Sequence, residues 1–175
     1  TEELKEQILA AKTQVQVDDL YRPFRPKRRT RATAAKEKGL EPLAALICLQ
    51  KMKEPVEKAA QQYISEEKGV LTAEEAIAGA KDIIAENISD EPVYRQHIRD
   101  YTVRHGKIVS AAKDKEESSV YEMYYEFEEP IQKLAGHRVL ALNRGEKGKF
   151  LTVKVQAPEE KLLSYLEKHI IVSEN

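Results

Sequence analysis

One cysteine, Cys48, stands in 175 residues. No disulfide can close within the chain, and a zinc site built on cysteines is excluded. Its neighbours Leu46, Ile47 and Leu49 predict a buried, inert thiol on an apolar helix. No apolar run approaches the length of a membrane span and no signal peptide is visible, so a cytoplasmic location without membrane contact is the default expectation. Neither sign of charge is in excess: 29 basic residues face 30 acidic ones, for a formal net charge of −1. Any attraction to nucleic acid must therefore be local. Phosphate-cradling signatures are missing too, with no GxxxxGK(S/T) loop and no GxGxxG turn. His97, His105, His137 and His169 are scattered, and none forms HxxxH or HExxH spacing. His137, beside Arg138, has the best functional claim, against a structural reading as a helix cap or hydrogen-bonded group. Carboxylates are abundant, but none lies in the apolar strand-end setting that raises a pKa for acid–base work. The chain reads as non-catalytic, with no cofactor and no metal.

What is present is a series of amphipathic segments punctuated by Pro, Gly and Thr. Hydrophobic residues make up 41% and charged residues 34%, a globular balance rather than a disordered one. Residues 2–17 predict one helix, with Leu4, Ile8, Ala11 and Val15 on one face. Pro42 and Pro55 open further helices, the first facing Leu43, Leu46 and Ile47 inward. Thr72 and Glu75 form a capping box before a helix running to about residue 87. Asp90 and Pro92 repeat the start signal for a helix carrying Tyr94, Ile98, Tyr101 and His105 to Gly106. Residues 108–127 stay open between helix and strand: helical spacing aligns Tyr121 with Tyr124 and Tyr125, and alternation aligns Tyr121, Met123, Tyr125 and Phe127. In either case the rings are expected to fill a core. Gly136 should break a short helix begun at Pro130, residues 137–144 should be helical with Gly145 after them, and residues 145–148 are the expected joint. Residues 149–156 alternate and are the best strand candidate, and Pro158 opens a last helix. The expected fold is mainly α, a multi-helix scaffold over residues 1–145 with at most a small β element near 149–156. Residues 146–175 form a strand-plus-helix segment. The start at Thr1, without methionine, predicts a piece of a longer chain.

Residues 18–43, DDLYRPFRPKRRTRATAAKEKGLEPL, are the most distinctive stretch. Arg22, Arg25, Lys27, Arg28, Arg29 and Arg31 gather positive charge around Pro23 and Pro26. Each proline lacks an N–H and biases the residue before it away from helical angles, so residues 22–27 predict an extended connector packed down by Tyr21 and Phe24. A helix should start at Thr30 and stop at Gly39. The six cations can present forks to phosphates, with aromatics near enough to stack on bases. They can equally pair with carboxylates of the same chain and tie helices together.

This stretch resembles the signature region of the Tex family of bacterial transcription accessory proteins. The resemblance rests on Asp19-Leu20-Tyr21, Pro23, the run from Pro26 to Thr33, and Lys36 to Leu43 in the same spacing. A second block lies at His137 to Glu146, preceded by Ala135-Gly136 where the family usually has proline and serine. The resemblance implies a much longer parent that combines a helical scaffold with an RNase-H-like domain, helix-hairpin-helix units and a C-terminal OB-fold that binds RNA. It implies a role in transcription, with RNA more than DNA as the parent's nucleic-acid partner. The parent's other domains and the transcription machinery are further partners. The OB-fold strands and the helix-hairpin-helix turn have no counterpart in this sequence.

Overall fold

In the computed structural model, which describes residues 1–26 and 28–172, threonines cap four helices. Each hydroxyl accepts an otherwise unpaired N–H in the first turn. Thr1 starts α1 (Glu2–Ala10), Thr13 starts α2 (Gln14–Tyr21), Thr30 starts α3 (Arg31–Glu37) and Thr72 starts α6 (Ala73–Asp90). Between the last two lie α4 (Glu41–Leu49), with Pro42 in its first turn, and α5 (Val56–Gln61) after Pro55. Gly39 and Gly69, at φ of +78° and +67°, make the left-handed turns after α3 and before Val70. The chain then continues through α7 (Pro92–His105), β1 (Lys107–Ala112), β2 (Glu126–Pro130), α8 (Gly136–Lys147), β3 (Leu151–Gln156) and α9 (Glu159–Ile170). The described residues are mainly helical, as expected.

Contacts group the chain into two units, Thr1–Gln96 with Leu166–Asn175, and His97–Tyr165. In the first, α6 is the central helix, and α3, α4 and α5 all pack on it. Its buried face is made of small side chains, Ala76 and Ala80 with Ile83 beyond them. Leu40, Leu43, Ala44, Ala35 and Ala60 close over that face. The second unit is a three-stranded antiparallel sheet in the order β2-β1-β3, with α8 packed on β3. Its core is Tyr124, Leu142 and Leu151, flanked by Ile108, Tyr121, Phe127, Phe150 and Val153. Ser110, buried on the central strand, donates its hydroxyl to the carbonyl of Tyr124 at 2.7 Å.

The structure differs from the sequence-based expectations at several points. The single helix over residues 2–17 is two helices, because Thr13 caps α2 while the Gln16 side chain accepts the N–H of Lys12 at 2.8 Å. That is a capping-box pattern, Thr-x-x-Gln, inside an apparently continuous stripe. Arg22 to Phe24 form a 3-10 turn continuing from α2, and extended backbone is reached at Arg25; Lys27 lies outside the described residues. Pro23 fits because a first-turn position has no N–H to lose. Tyr21 and Phe24 do not pack down; they are 46% and 60% exposed. Cys48 is exposed, since α4 is apolar at every position from Pro42 to Leu49 and such a run carries no phase to say which side faces inward. The aromatic run at 121–127 follows neither periodicity: a 3-10 turn at Glu122–Tyr124 buries Tyr124, exposes Met123 and delivers Phe127 to β2. Two strands therefore join the expected one. Gly136 opens α8 rather than breaking a helix, and Gly145 lies buried within it. A Cβ on Gly145 would meet Leu151 Cδ1 at 2.6 Å, so glycine permits the close approach of β3.

Candidate nucleic-acid interface

The basic stretch is organised by its carboxylate partners. Arg22 Nε donates to Asp90 Oδ1 at 2.9 Å, and Arg95 Nε donates to Asp19 Oδ1 at 2.8 Å. These two pairs are crossed. Asp19 and Arg22 lie at the end of α2, and Asp90 and Arg95 flank the corner between α6 and α7. Both aspartate side chains are nearly out of water, at 8% and 10% exposure, so the pairs fix the α2 end in place. Asp90 had been expected to cap α7. Instead α6 runs through it, and its carboxylate is turned to Arg22. Asp19, Asp90 and Arg95 are thus the residues that sequence reasoning missed. Asp90 was visible only as a cap signal, and Arg95 as one charge among many on an amphipathic helix.

The outer cations are held more loosely. Arg25 reaches Asp18 at 3.1 Å, Arg29 reaches Glu37 at 2.9 Å and Arg31 reaches Asp82 at 3.4 Å, all with solvent-exposed guanidinium groups. Arg31 is the extreme case at 88% exposure. Arg28 makes no ion pair among the described residues. Lys27 lies outside the described residues. Exposed pairs of this kind contribute about 0–1 kcal/mol each and yield readily to a stronger anion.

Arg22, Arg25, Arg28 and Arg31 come together along one cleft of about 480 Å³, whereas Arg29 turns away to Glu37. They recur every third residue. Arg22 lies in the 3-10 turn, Arg25 follows it in extended backbone and Arg31 opens α3. The facing wall is α6, where Asp82, Glu86 and Asp90 recur every fourth residue on one helical face. Thr30 ties the two walls, donating its hydroxyl to Glu86 Oε2 at 2.8 Å. A row of arginines thus lies against a row of carboxylates, with Ala32, Ala85 and Ser89 in the lining.

In the second unit, His137 is exposed, and its neighbour Arg138 donates to Glu129 Oε1 at 2.6 Å. The Glu129 carboxylate pushes the Arg138 guanidinium above its ordinary pKa. Among the described residues, no His, Cys, Asp and Glu side chains cluster in a way that would hold a metal ion, and no helix is long and apolar enough to cross a membrane.

Residues 51–173 match a family model described as Tex central region-like. The chain is 53% identical to the Bacillus subtilis protein YdcI over 98% of its own length and 24% of that protein. It is 33% identical to the transcriptional accessory protein Tex of Neisseria gonorrhoeae, over 89% of this chain and 20% of that one. The human S1 RNA-binding domain-containing protein 1 is 28% identical over 85% of this chain and 16% of its own. The chain therefore spans a quarter or less of the length of these relatives.

Proposed function

The chain belongs to the Tex family, and from that premise we propose that it is a non-catalytic helical scaffold segment of a transcription accessory protein. In this reading the parent acts in the cytoplasm. It binds RNA more than DNA, and most of that binding is supplied by parts beyond this segment. The name of the human relative, which refers to an S1 RNA-binding domain, supports an RNA-associated parent. The segment holds the parent's other domains in place and offers a surface to the transcription machinery. The observation that carries the scaffold role is the crossed pair of nearly buried aspartates, Asp19 with Arg95 and Asp90 with Arg22. A carboxylate taken out of water is costly unless it stays paired, so the two aspartates favour the one arrangement of helices in which each meets its arginine.

Replacing Asp90 with alanine tests this. Breaking a fully buried pair costs about 3–5 kcal/mol. Because the Arg22 head is half in water, a loss of about 1–2 kcal/mol is expected, which lowers the melting temperature by several degrees. A variant that melts like the wild type would overturn the scaffold role. A second reading, direct contact of the strip with phosphate, is favoured by Arg28, which lines the cleft and has no carboxylate partner among the described residues.

A further inference from the structure

Gln50 ends α4 at φ +48° and ψ +35°, a left-handed conformation that a residue with a Cβ adopts only at a cost. Such strain persists where the surroundings hold it, often at a ligand clamp. Here the side chain is a clamp. Gln50 Nε2 donates to the Ile170 carbonyl at 2.6 Å, and Gln50 Oε1 accepts the Val172 N–H at 2.8 Å. One amide thus grips a carbonyl and an N–H two residues apart, which is recognition of backbone and reads neither side chain. Between those two bonds stands Ile171. Its side chain lines a cavity of about 960 Å³ together with Ile47, Met52, Val56 and Ile77, all in the first unit.

We propose that this cavity is a docking groove for a peptide segment of a partner protein, and that residues 170–172 are an intramolecular strap occupying one end of it. The partner segment places an apolar, β-branched side chain in the cavity, and Gln50 grips the carbonyl and N–H on either side. The strap is the pattern for that ligand, already seated. It is lightly held, since Ile171 is half-exposed and Val172 is 86% exposed, so its release uncovers little apolar surface. The space beside it lies near the top of the range for ligand clefts, about 300–1000 Å³. Met52 gives the lining a flexible thioether that adapts to different shapes. The charges at the rim cancel, Lys53 and Lys81 against Glu54 and Glu57, so the groove selects for apolar surface and not for an ion. A continuous helix cannot serve as the ligand, because its interior carbonyls and N–H groups are already paired. The inference rests on the scaffold reading and adds where, and by what chemistry, a partner is held.

The probe is a synthetic peptide of the strap's own sequence, Glu167 to Val172, blocked at both ends. The chain has two methionines, so methyl NMR gives two signals. The peptide should shift that of Met52, in the groove, and leave that of Met123, in the second unit, as an internal control. Val172→Pro removes the N–H that Gln50 accepts. It should loosen the strap and tighten peptide binding about fivefold, the effect of one net hydrogen bond. Binding should hold when salt is raised from about 0.1 M to about 1 M, which screens surface charge. A peptide N-methylated at the Val172 nitrogen should bind at least about fivefold more weakly. Gln50→Gly removes the amide while relieving the left-handed backbone. Combined with Val172→Pro, it should weaken peptide binding about tenfold or more while the melting temperature holds or rises. The proposal is overturned if the peptide leaves the Met52 signal of the Val172→Pro chain unmoved. It is equally overturned if the N-methyl peptide binds as tightly, or if Gln50→Gly leaves binding unchanged, which would make Gln50 a cap on α9 and nothing more. None of these outcomes touches the melting of Asp90→Ala, so the scaffold role and this groove fail separately.

Discussion

A side chain's neighbours in sequence say less about its surroundings than the shape of the helix that carries it. Cys48 sits among Leu46, Ile47 and Leu49 and is nevertheless exposed. The inward positions of α4 are Leu43 and Ala44, and the helix ends at Leu49, one residue beyond the cysteine. Gly79 is the opposite case, since nothing in the sequence marks it as special. Within α6 it passes so close to α3 and Leu40 that an added Cβ would stand 2.4 Å from Leu40 Cδ1 and 3.2 Å from Ala35 Cβ. Leu40 is buried in the core, so moving it displaces other core atoms. Glycine to alanine in an exposed helix interior stabilises by about 1 kcal/mol. At Gly79, overpacking of about 1–3 kcal/mol should outweigh that gain. Gly79→Ala should therefore lower the melting temperature, and a rise would show that Leu40 can repack.

Elements were legible where a local signal had one meaning. Thr30 and Thr72 cap α3 and α6 as their positions predict, and the Glu75 carboxylate reaches back to accept the Leu71 N–H at 2.7 Å. The alternating segment before Pro158 is β3. Elements were misread where two signals competed. Over residues 2–17 the apolar spacing suggests one helix, yet Thr13 and Gln16 write a cap into the middle of it. The two prolines suggested an extended chain, but Pro23 sits at a helical start. The strands β1 and β2 draw their stability from pairing with each other, and β1 also from pairing with β3, a long-range property that periodicity cannot report. The cap at Thr13 has a consequence further along α2, because that helix delivers Asp19 to Arg95. Thr13→Ala should cost about 1 kcal/mol, the usual effect of losing a threonine cap. Thr13→Ser should retain most of the stability. Amide exchange should quicken at Gln16 in the alanine variant and stay slow in the serine one. Equal exchange in both would mean that α2 is held by its far end alone.

At the scale of the whole molecule, the −1 net charge conceals a strongly patterned surface, and pattern, not total, governs both the candidate site and the response to pH. The sequence showed the cluster of cations and the family resemblance. It could not show which carboxylates face them, because Asp82, Glu86 and Asp90 lie more than fifty positions away. Two exposed carboxylates, one in each unit, are shifted in the same direction. Glu74 is lowered from the ordinary 4.5 by its own backbone N–H and then by the Thr72 hydroxyl. Glu126 is lowered by its hydrogen bond to Lys115, at 2.6 Å, and by that ammonium's charge. Lys115 is raised above its ordinary 10.5 by the same partner. A carboxylate whose folded pKa lies below its unfolded value favours folding above the unfolded value, and the benefit disappears as pH falls through the folded one. For the raised lysine the benefit is complete below 10.5 and is lost as pH rises through the folded value. The contributions of these groups should therefore be constant between 4.5 and 10.5 and decline on either side. All three groups are on the surface, so the decline should be shallow and should fade at high salt. Carbon-detected NMR titration should place Glu126 below the ordinary glutamate value, and Lys115→Met should return it toward 4.5 while leaving Glu74 where it was. If Glu126 titrates normally in the wild type, the Lys115 pair does not persist in solution, and this unit's acid response must come from other groups.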